Sequence, residues 1–342
     1  MVAVASRDLD RAQQFIDGLQ KEVEYSPAPK AYGSYDELLQ DPNVDAVYVP
    51  LPTGIRKEWV IKVAKAGKHV LCEKPCAVSA ADLAEMIQAC EDNGVQFMDG
   101  VMYMHSNRYK EVRKAIDDNA SIGEVKRIHM NFSFNAGDDF REDNIRTTSD
   151  MEPQGSLGDL GWYCIRFALW TKNFKMPVKV AARMLDDIKR SDSPDSVPME
   201  LSGELVWDDG SSASFYTSFQ TQMQQWAHIS GTTGTIHIPD FVLPYFGSQL
   251  TFAVNKAEFV MEGCDFRMEN FEQQTAVAEH GNSSPNAQES NLFRNFNDLV
   301  LNETIDDHWP TISMKTQRVL DACLESARNN AQAVDMAETA AV

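Results

Sequence analysis

From residue 2 to residue 99, short apolar runs alternate with stretches of helical periodicity, an order that suits a parallel sheet whose strands are joined by crossover helices. Residues 2–5 read as a strand, and residues 8–19 as a helix that sets Leu9, Ala12, Phe15, Ile16 and Leu19 on one face. Ser34 caps a short helix ending at Leu39. A second strand over 44–50 leads into a helix over 55–66, which Gly67 stops by supplying a left-handed cap. A third strand occupies 69–72. Ser79 caps a helix over 80–93, Asp82 favours the positive end of its dipole, and Gly94 ends it before a fourth strand over 95–99.

Beyond residue 124 the hydrophobic period shortens to two. Residues 125–134 place Ile128, Met130, Phe132 and Phe134 on one face and Arg127, His129, Asn131 and Ser133 on the other, as a half-exposed antiparallel strand does. Similar strands are predicted over 178–184, 200–207, 212–219, 227–230 and 234–238, with Asp209-Gly210 as a hairpin turn. Two helices over 287–301 and 314–328 follow. The fold class is therefore α/β joined to α+β: a Rossmann-like parallel sheet over 1–103, then a large open, mainly antiparallel sheet with helices over 104–330. The Ala-rich residues 331–342 are expected to fray.

Net charge excludes some partners. With 31 basic against 51 acidic residues and a formal charge of -20, the chain would be repelled by nucleic-acid phosphates and anionic membranes, which leaves a small-molecule substrate. No apolar run is long enough to span a bilayer, and the N-terminus lacks the pattern of a secretory signal. The six cysteines, Cys72, Cys76, Cys90, Cys164, Cys264 and Cys323, have neither the spacing nor the histidine company of a zinc site, so buried free thiols in a reducing cytoplasm and no metal are expected. Cys72 and Cys76 form a CxxxC pair that reads as core packing.

Ligands of an open parallel sheet sit beyond the carboxyl ends of its strands, so the residues just after each strand bear the chemistry. Here these are Ser6-Arg7, Pro50-Leu51-Pro52-Thr53, Glu73-Lys74-Pro75 and Gly100. An arginine at the position of Arg7 suits a 2'-phosphate and favours NADP over NAD, although it can also be an ordinary surface charge. Lys74 follows a buried strand, and Pro75 fixes the backbone behind it, so its ammonium can polarise a substrate oxygen. The glycine-rich run from Gly155 to Ile165 reads as the entry to a helix with Asp159 and Tyr163 four apart on one face. A phenol beside an ammonium is a usable general acid or base, which pairs Tyr163 with Lys74 if the fold joins them. The plain alternative is a helix packing Tyr163 in the core with Asp159 as a local hydrogen-bond partner.

Taken in order, Val4-Ala5-Ser6-Arg7, Tyr35-Asp36-Glu37-Leu38-Leu39, Asp45-Ala46-Val47-Tyr48-Val49-Pro50, Gly67-Lys68-His69-Val70, Glu73-Lys74-Pro75 and Gly231-Thr232-Thr233-Gly234-Thr235 resemble the glucose-fructose oxidoreductase / inositol dehydrogenase (Gfo/Idh/MocA) family over nearly the whole chain. The run from Gly158 to Tyr163 is most similar to its uncharacterised plant and bacterial branch, with Tyr163 where many relatives have histidine. The resemblance implies hydride transfer between a nicotinamide cofactor, NADP or alternatively NAD, and a sugar, polyol or cyclic secondary alcohol. It also implies that Lys74 and Tyr163 assist proton transfer, that Asp159 orients them, and that Pro50, Leu51, Thr53, Glu73 and Arg146 line the cofactor with Ser6, Arg7 and Lys74. The segments 103–108 and 138–146 would shape the pocket. The free face of the second sheet would serve a homodimer or homotetramer.

Two departures accompany the resemblance. Arg56 stands where relatives commonly carry histidine. The family fold also opens with a strand, a glycine-rich loop and a helix, whereas this sequence begins at the counterpart of the second strand and shows no GxGxxG near its start. The reading favoured here is a truncated sequence, ahead of a sheet completed by another chain or a member that no longer binds cofactor. Such a gap is expected to expose Val47 and Val49. The rival functional reading is a non-catalytic scaffold that keeps the dehydrogenase shape.

Overall fold

The computed structural model describes residues 1–336. Its first part runs β1 (Ala3–Ala5), α1 (Leu9–Gln20), β2 (Lys30–Tyr32), α2 (Tyr35–Leu39), β3 (Ala46–Val49), α3 (Thr53–Lys65), β4 (His69–Cys72), α4 (Ala80–Asp92) and β5 (Phe97–Asp99). The cap residues act as their side chains dictate. Asp8 accepts from the Arg11 amide at 3.0 Å, and Ser34 and Ser79 accept from Glu37 and Asp82 at 3.2 Å each. All pairings are parallel, but they form two sheets, β1-β2 and β3-β4-β5.

The edge of β3 is thus unpaired, yet Val49 is only 3% exposed and Val47 is half-buried against the core, contrary to the expectation that both would be bared. The reason is geometric: a missing neighbour exposes the hydrogen-bonding edge of a strand, whereas side chains point to its faces, and helices cover those. Tyr48, 42% exposed, is the β3 residue that reaches solvent.

The second part comprises α5 (Asn107–Asp117), β6 (Val125–Ser133), α6 (Asp138–Asp143), a π-helical turn at Leu157–Gly161, α7 (Trp162–Thr171), β7 (Lys179–Ile188), β8 (Val197–Val206), β9 (Ser212–Ser218), β10 (Gln224–Gly231) and β11 (Thr235–Ile238). It continues with β12 (Leu250–Glu262), β13 (Asp265–Val277), α8 (Gln288–Leu301), α9 (His308–Arg328) and β14 (Val334–Asp335). The strands form one nine-stranded sheet in the order β13-β12-β11-β10-β6-β9-β8-β7-β14. Every neighbouring pair is antiparallel except β6 with β9. Asp209-Gly210 turns β8 into β9, with Gly210 at φ +77.

Helices pack on one face of this sheet. Residues 162–169 of α7 are all buried, as befits a helix apolar on every side. The opposite face is open. Residues 334 and 335, expected to fray, instead pair with β7, and Met336 is 4% exposed, because the unsatisfied edge of β7 and the groove beside it accept them. The rest of the expected tail, 337–342, lies outside the described residues. All six cysteines are unpaired, and all are buried except Cys264, which the reading of buried thiols did not foresee.

Candidate active site

Three parallel strands end along one edge of the first part. Pro50 and Leu51 follow β3, Glu73 and Lys74 follow β4, and Gly100 follows β5. Arg56, buried inside α3, donates through its guanidinium to the carbonyls of Leu51 and Pro75, so it ties the β3 and β4 loops together from beneath. Glu73 accepts from the Tyr48 hydroxyl at 2.7 Å, and its second oxygen accepts from the Lys74 amide at 3.1 Å. A Cβ at residue 100 would fall 2.9 Å from the Glu73 Oε1, so glycine there leaves this carboxylate its place.

Lys74 reaches across to the second part of the molecule. Its Nζ donates to the Asp159 Oδ1 at 2.7 Å and to the Asp159 carbonyl at 2.8 Å, and lies 4.6 Å from the centroid of the Tyr163 ring. Arg146 closes the other side of the carboxylate, with Nε 3.0 Å from Oδ2. Burial disfavours both charges of the Lys74–Asp159 pair, but each partner stabilises the other. The Lys74 pKa therefore stands above its usual value, and Asp159, held by Lys74 and Arg146, stays below the usual carboxylate range. Burial pushes the Tyr163 phenol up to about 12 against the lowering pull of Lys74, so its proton is retained at neutral pH.

The backbone that presents Asp159 is not the regular helix the sequence spacing suggested. Residues 157–161 make a π turn, a feature that recurs at functional sites, and α7 begins only at Trp162. Gly158 permits the turn to approach the β4 loop: a Cβ there would meet Gln154 Cβ at 2.7 Å and Pro75 Cγ at 3.2 Å. Tyr163 is fixed from below, its carbonyl accepting from the Tyr103 hydroxyl at 3.1 Å and its ring lying near Phe132.

A second tie joins the same regions. Glu152 accepts from the Thr53 amide at 3.0 Å and the Thr53 hydroxyl at 2.6 Å, capping α3 from outside where Pro52 offers no side-chain cap. The Gly54 amide donates to the Met151 carbonyl at 2.8 Å, and a Cβ at residue 54 would stand 1.8 Å from the Asp150 carbonyl oxygen. Deeper still, Asp99 at the end of β5 pairs with Arg166 of α7 at 2.5 Å, both fully buried, while Arg166 Nε donates to Thr316 of α9 at 2.7 Å.

The structure thus gathers Glu73, Lys74, Asp159, Tyr163 and Arg146, with Pro50 and Leu51 on the rim. Arg146 meets Asp159 rather than a strand end. Thr53 is buried and engaged by Glu152. Ser6 and Arg7 follow β1 in the other sheet, with Arg7 exposed. Segment 138–146 lies at the surface beside Asp159, whereas Tyr103, His105, Ser106 and Arg108 of the segment 103–108 are buried in the core. Tyr48, Glu152 and Arg166 went unnoticed in the sequence, since their partners lie 25 to 99 residues away and no local spacing announces them. The grouping suits the nicotinamide half of a dinucleotide: an ammonium and a carboxylate after β4 and a phenol from α7 match the hydroxyls of a ribose and the two functions of a carboxamide. Among the described residues there is no cluster of His, Cys, Asp and Glu that could hold a metal, and no helix long and apolar enough to cross a membrane.

Comparison with known proteins agrees with this geometry. Residues 1–101 match the model of an oxidoreductase family with an NAD-binding Rossmann fold (GFO/IDH/MocA), and residues 109–237 match the C-terminal domain of the same family. The chain is 36% identical over 258 residues to a D-xylose 1-dehydrogenase (NADP(+)) of Haloferax volcanii, covering 74% of this chain and 73% of that one. It is 31% identical over 242 residues to a trans-1,2-dihydrobenzene-1,2-diol dehydrogenase of Xenopus laevis, covering 71% and 68%. In fold it is similar to a 3-ketoreductase of Actinomadura kijaniata solved with NADP, with a TM-score of 0.76, 22% identity and coverage of 95% and 89%. An aldose-aldose oxidoreductase of Caulobacter crescentus gives the same TM-score at 24% identity, covering 98% and 91%.

Proposed function

The chain belongs to the Gfo/Idh/MocA family of NAD(P)-dependent oxidoreductases, and on that premise we propose that Lys74, Asp159 and Tyr163 carry out the proton transfer and orientation for its reaction on a sugar or polyol. The observation that carries this assignment is the Lys74 ammonium, 2.7 Å from Asp159 and 4.6 Å from the Tyr163 ring centroid, at the carboxyl ends of three parallel strands.

When bound, the nicotinamide takes up or supplies the hydride. Lys74 holds the reacting oxygen of the substrate and disperses the charge that builds on it. The Tyr163 phenol, protonated at neutral pH, gives its proton to that oxygen when a carbonyl is reduced and takes one back when an alcohol is oxidised. Asp159 is no base, because two cations hold it ionised; it fixes the position of Lys74 and keeps that residue charged. Arg146, 42% exposed, extends the same polar rim towards solvent and contacts the hydroxyl groups of the substrate. Glu73, Lys74 and the loop of Pro50 and Leu51 hold the nicotinamide half of NADP, and Arg7 with Ser6 meets the 2'-phosphate. The enzyme works in the cytoplasm, where its free thiols stay reduced, and as a homo-oligomer built through the open face of the nine-stranded sheet.

Replacing Tyr163 by Phe removes one hydroxyl from a packed ring. Turnover with a reducible aldose or its alcohol is expected to fall by about 10²–10⁴, with substrate KM little changed. Unchanged turnover rejects the role.

A further inference from the structure

Arg146 comes to the active site on a slender support. It stands on a single 3-10 turn, Ile145–Thr147, is 42% exposed, and meets the Asp159 Oδ2 with its Nε at 3.0 Å. A long, exposed side chain on so short a turn has little of its own to fix it. Its place depends on what holds the turn.

The hold comes from the far end of β7. That strand slips register against β8 between Met184 and Asp187, leaving Leu185 unpaired, and such a slip bends a strand and re-aims the residues that follow. Asp186 then accepts from the Gln220 Nε2 at 2.7 Å, and the Gln220 Oε1 accepts from Arg141 of α6 at 2.8 Å. Just past β7, Arg190 spends its whole guanidinium. Its Nε and Nη2 form a fork with the Asp192 carboxylate at 2.8 and 2.6 Å. The remaining nitrogen, Nη1, donates to the Asn144 carbonyl at 3.2 Å and to the Thr147 hydroxyl at 3.0 Å, the residues that begin and end the turn. Thr147 is fully buried, and its hydroxyl donates to the same Asn144 carbonyl at 2.6 Å. Further along the loop, the Ser193 hydroxyl accepts from the Ser149 amide at 2.9 Å. The Arg190 side chain is only 16% exposed, although it lies in a loop.

We propose that Arg190 is a positioning residue of the active site: by clamping the 145–147 turn it keeps Arg146 on Asp159, and through Asp159 it keeps Lys74 in place. The proposal rests on the roles assigned above to Lys74, Asp159 and Tyr163, none of which Arg190 touches. Its effect passes through one carbonyl and one hydroxyl, so geometry carries it rather than charge. A lysine, with a single donor point, cannot hold Asp192 as a fork and span the turn at once. Asp159 is faced by Lys74 from the β4 loop, by Arg146 from the turn and by Tyr163 from α7, and Glu73 acts on Lys74 and Tyr163 in turn. With one of its two cations displaced the carboxylate takes a proton more easily, and a protonated Asp159 no longer anchors Lys74.

The test follows two quantities in the full chain: the acid limb of kcat/KM with an aldose and NADP, and the titration of the Asp159 carboxyl carbon by NMR, assigned by its loss in Asp159→Asn. In Arg190→Gln both midpoints should rise by about one pH unit, as they should in Arg146→Gln. Arg190→Lys should rise as far. Thr147→Val removes one of the two acceptors at nearly constant volume and should rise less; it also guards against a loop that fails to fold without Arg190. Lys189→Ala, a neighbour on the same loop, should match wild type. Full recovery in Arg190→Lys means that charge at a distance suffices, and overturns positioning. So does a carboxyl titration that moves in Arg146→Gln but in neither Arg190→Gln nor Thr147→Val, or one that moves equally in Lys189→Ala. A titration that moves as expected while kcat/KM keeps its wild-type profile upholds the clamp and rejects instead the catalytic roles on which it rests.

Discussion

In the first hundred residues the strands are 3 or 4 residues long and divide between two parallel sheets, while the second part runs nine strands through one sheet over a helix buried on every side. The β1-β2 unit contributes little to the core: Ala12, Ile16 and Tyr32 are its buried apolar residues, and Leu9 and Phe15 are 54% and 56% exposed. The second part buries one face of most of its strands and nearly all of α7. The two regions therefore fix their functional groups by different means. Tyr163 and Asp159 are set by deep packing, whereas Glu73 and Lys74 sit on a short sheet steadied by three ties to the other side: Lys74 to Asp159, Thr53 to Glu152, and Asp99 to Arg166. The lightly built half borrows its rigidity from the other at the site itself.

Cutting the deepest tie should have the largest effect. Asp99→Asn leaves the Arg166 guanidinium buried without its counter-charge, at an expected cost of about 3–5 kcal/mol. Urea unfolding followed by tryptophan fluorescence and by circular dichroism would measure it. One shared transition displaced to lower urea means that the halves unfold as a unit. Two separated transitions mean that the pair was what coupled them, and a midpoint equal to wild type breaks the comparison.

A smaller effect is expected at the shallower tie. Gly54→Ala drives a methyl group against the Asp150 carbonyl, and relief of that overlap should cost about 1–3 kcal/mol. Because the displaced strand of chain leads directly to Asp159, turnover should fall as well. A surface substitution of similar size, Asp36→Asn on α2, should stay within about 0.5 kcal/mol in the same assay. Equal melting temperatures for Gly54→Ala and wild type would show that the loop moves aside freely.

Legibility in the sequence followed the range of the interactions. The caps at Asp8, Ser34 and Ser79, the strand at 69–72 and the turn at Asp209-Gly210 could be read because each is settled within a few residues by backbone geometry and one side chain. Lys74 could be singled out from the rule that strand ends bear ligands, and its meeting with Asp159 followed from the family resemblance. Arg146 on Asp159 and Glu152 on Thr53 could not, since loops of no regular period bring them there. β12 and β13 escaped notice for a different reason. A strand is recognised by one apolar face held along its length, and here that face changes sides beyond Lys256, so neither half is long enough to be counted. The π turn at Leu157–Gly161 was hidden because an extra residue per turn leaves composition untouched.

The smallest effect should come from Asp321 of α9, which touches the first part at the start of α4. Its Oδ2 accepts from the Ala80 amide at 2.6 Å and its Oδ1 from Gln317 at 2.8 Å. Burial raises its pKa to about 6, against the lowering influence of those hydrogen bonds. A carboxyl group whose folded value lies above its unfolded one favours the folded state while protonated. Its contribution is therefore complete below the ordinary carboxylate pKa near 4 and is lost as pH rises through about 6. Between those limits wild type should lose more melting temperature than Asp321→Asn, which has no proton to release, and the two curves should run parallel above pH 7. Differential scanning calorimetry at half-unit steps would resolve the divergence. If the curves stay parallel from pH 4 upwards, the junction of α9 with α4 is wetter than its packing indicates, and the two parts of the molecule meet less tightly there than at the active site.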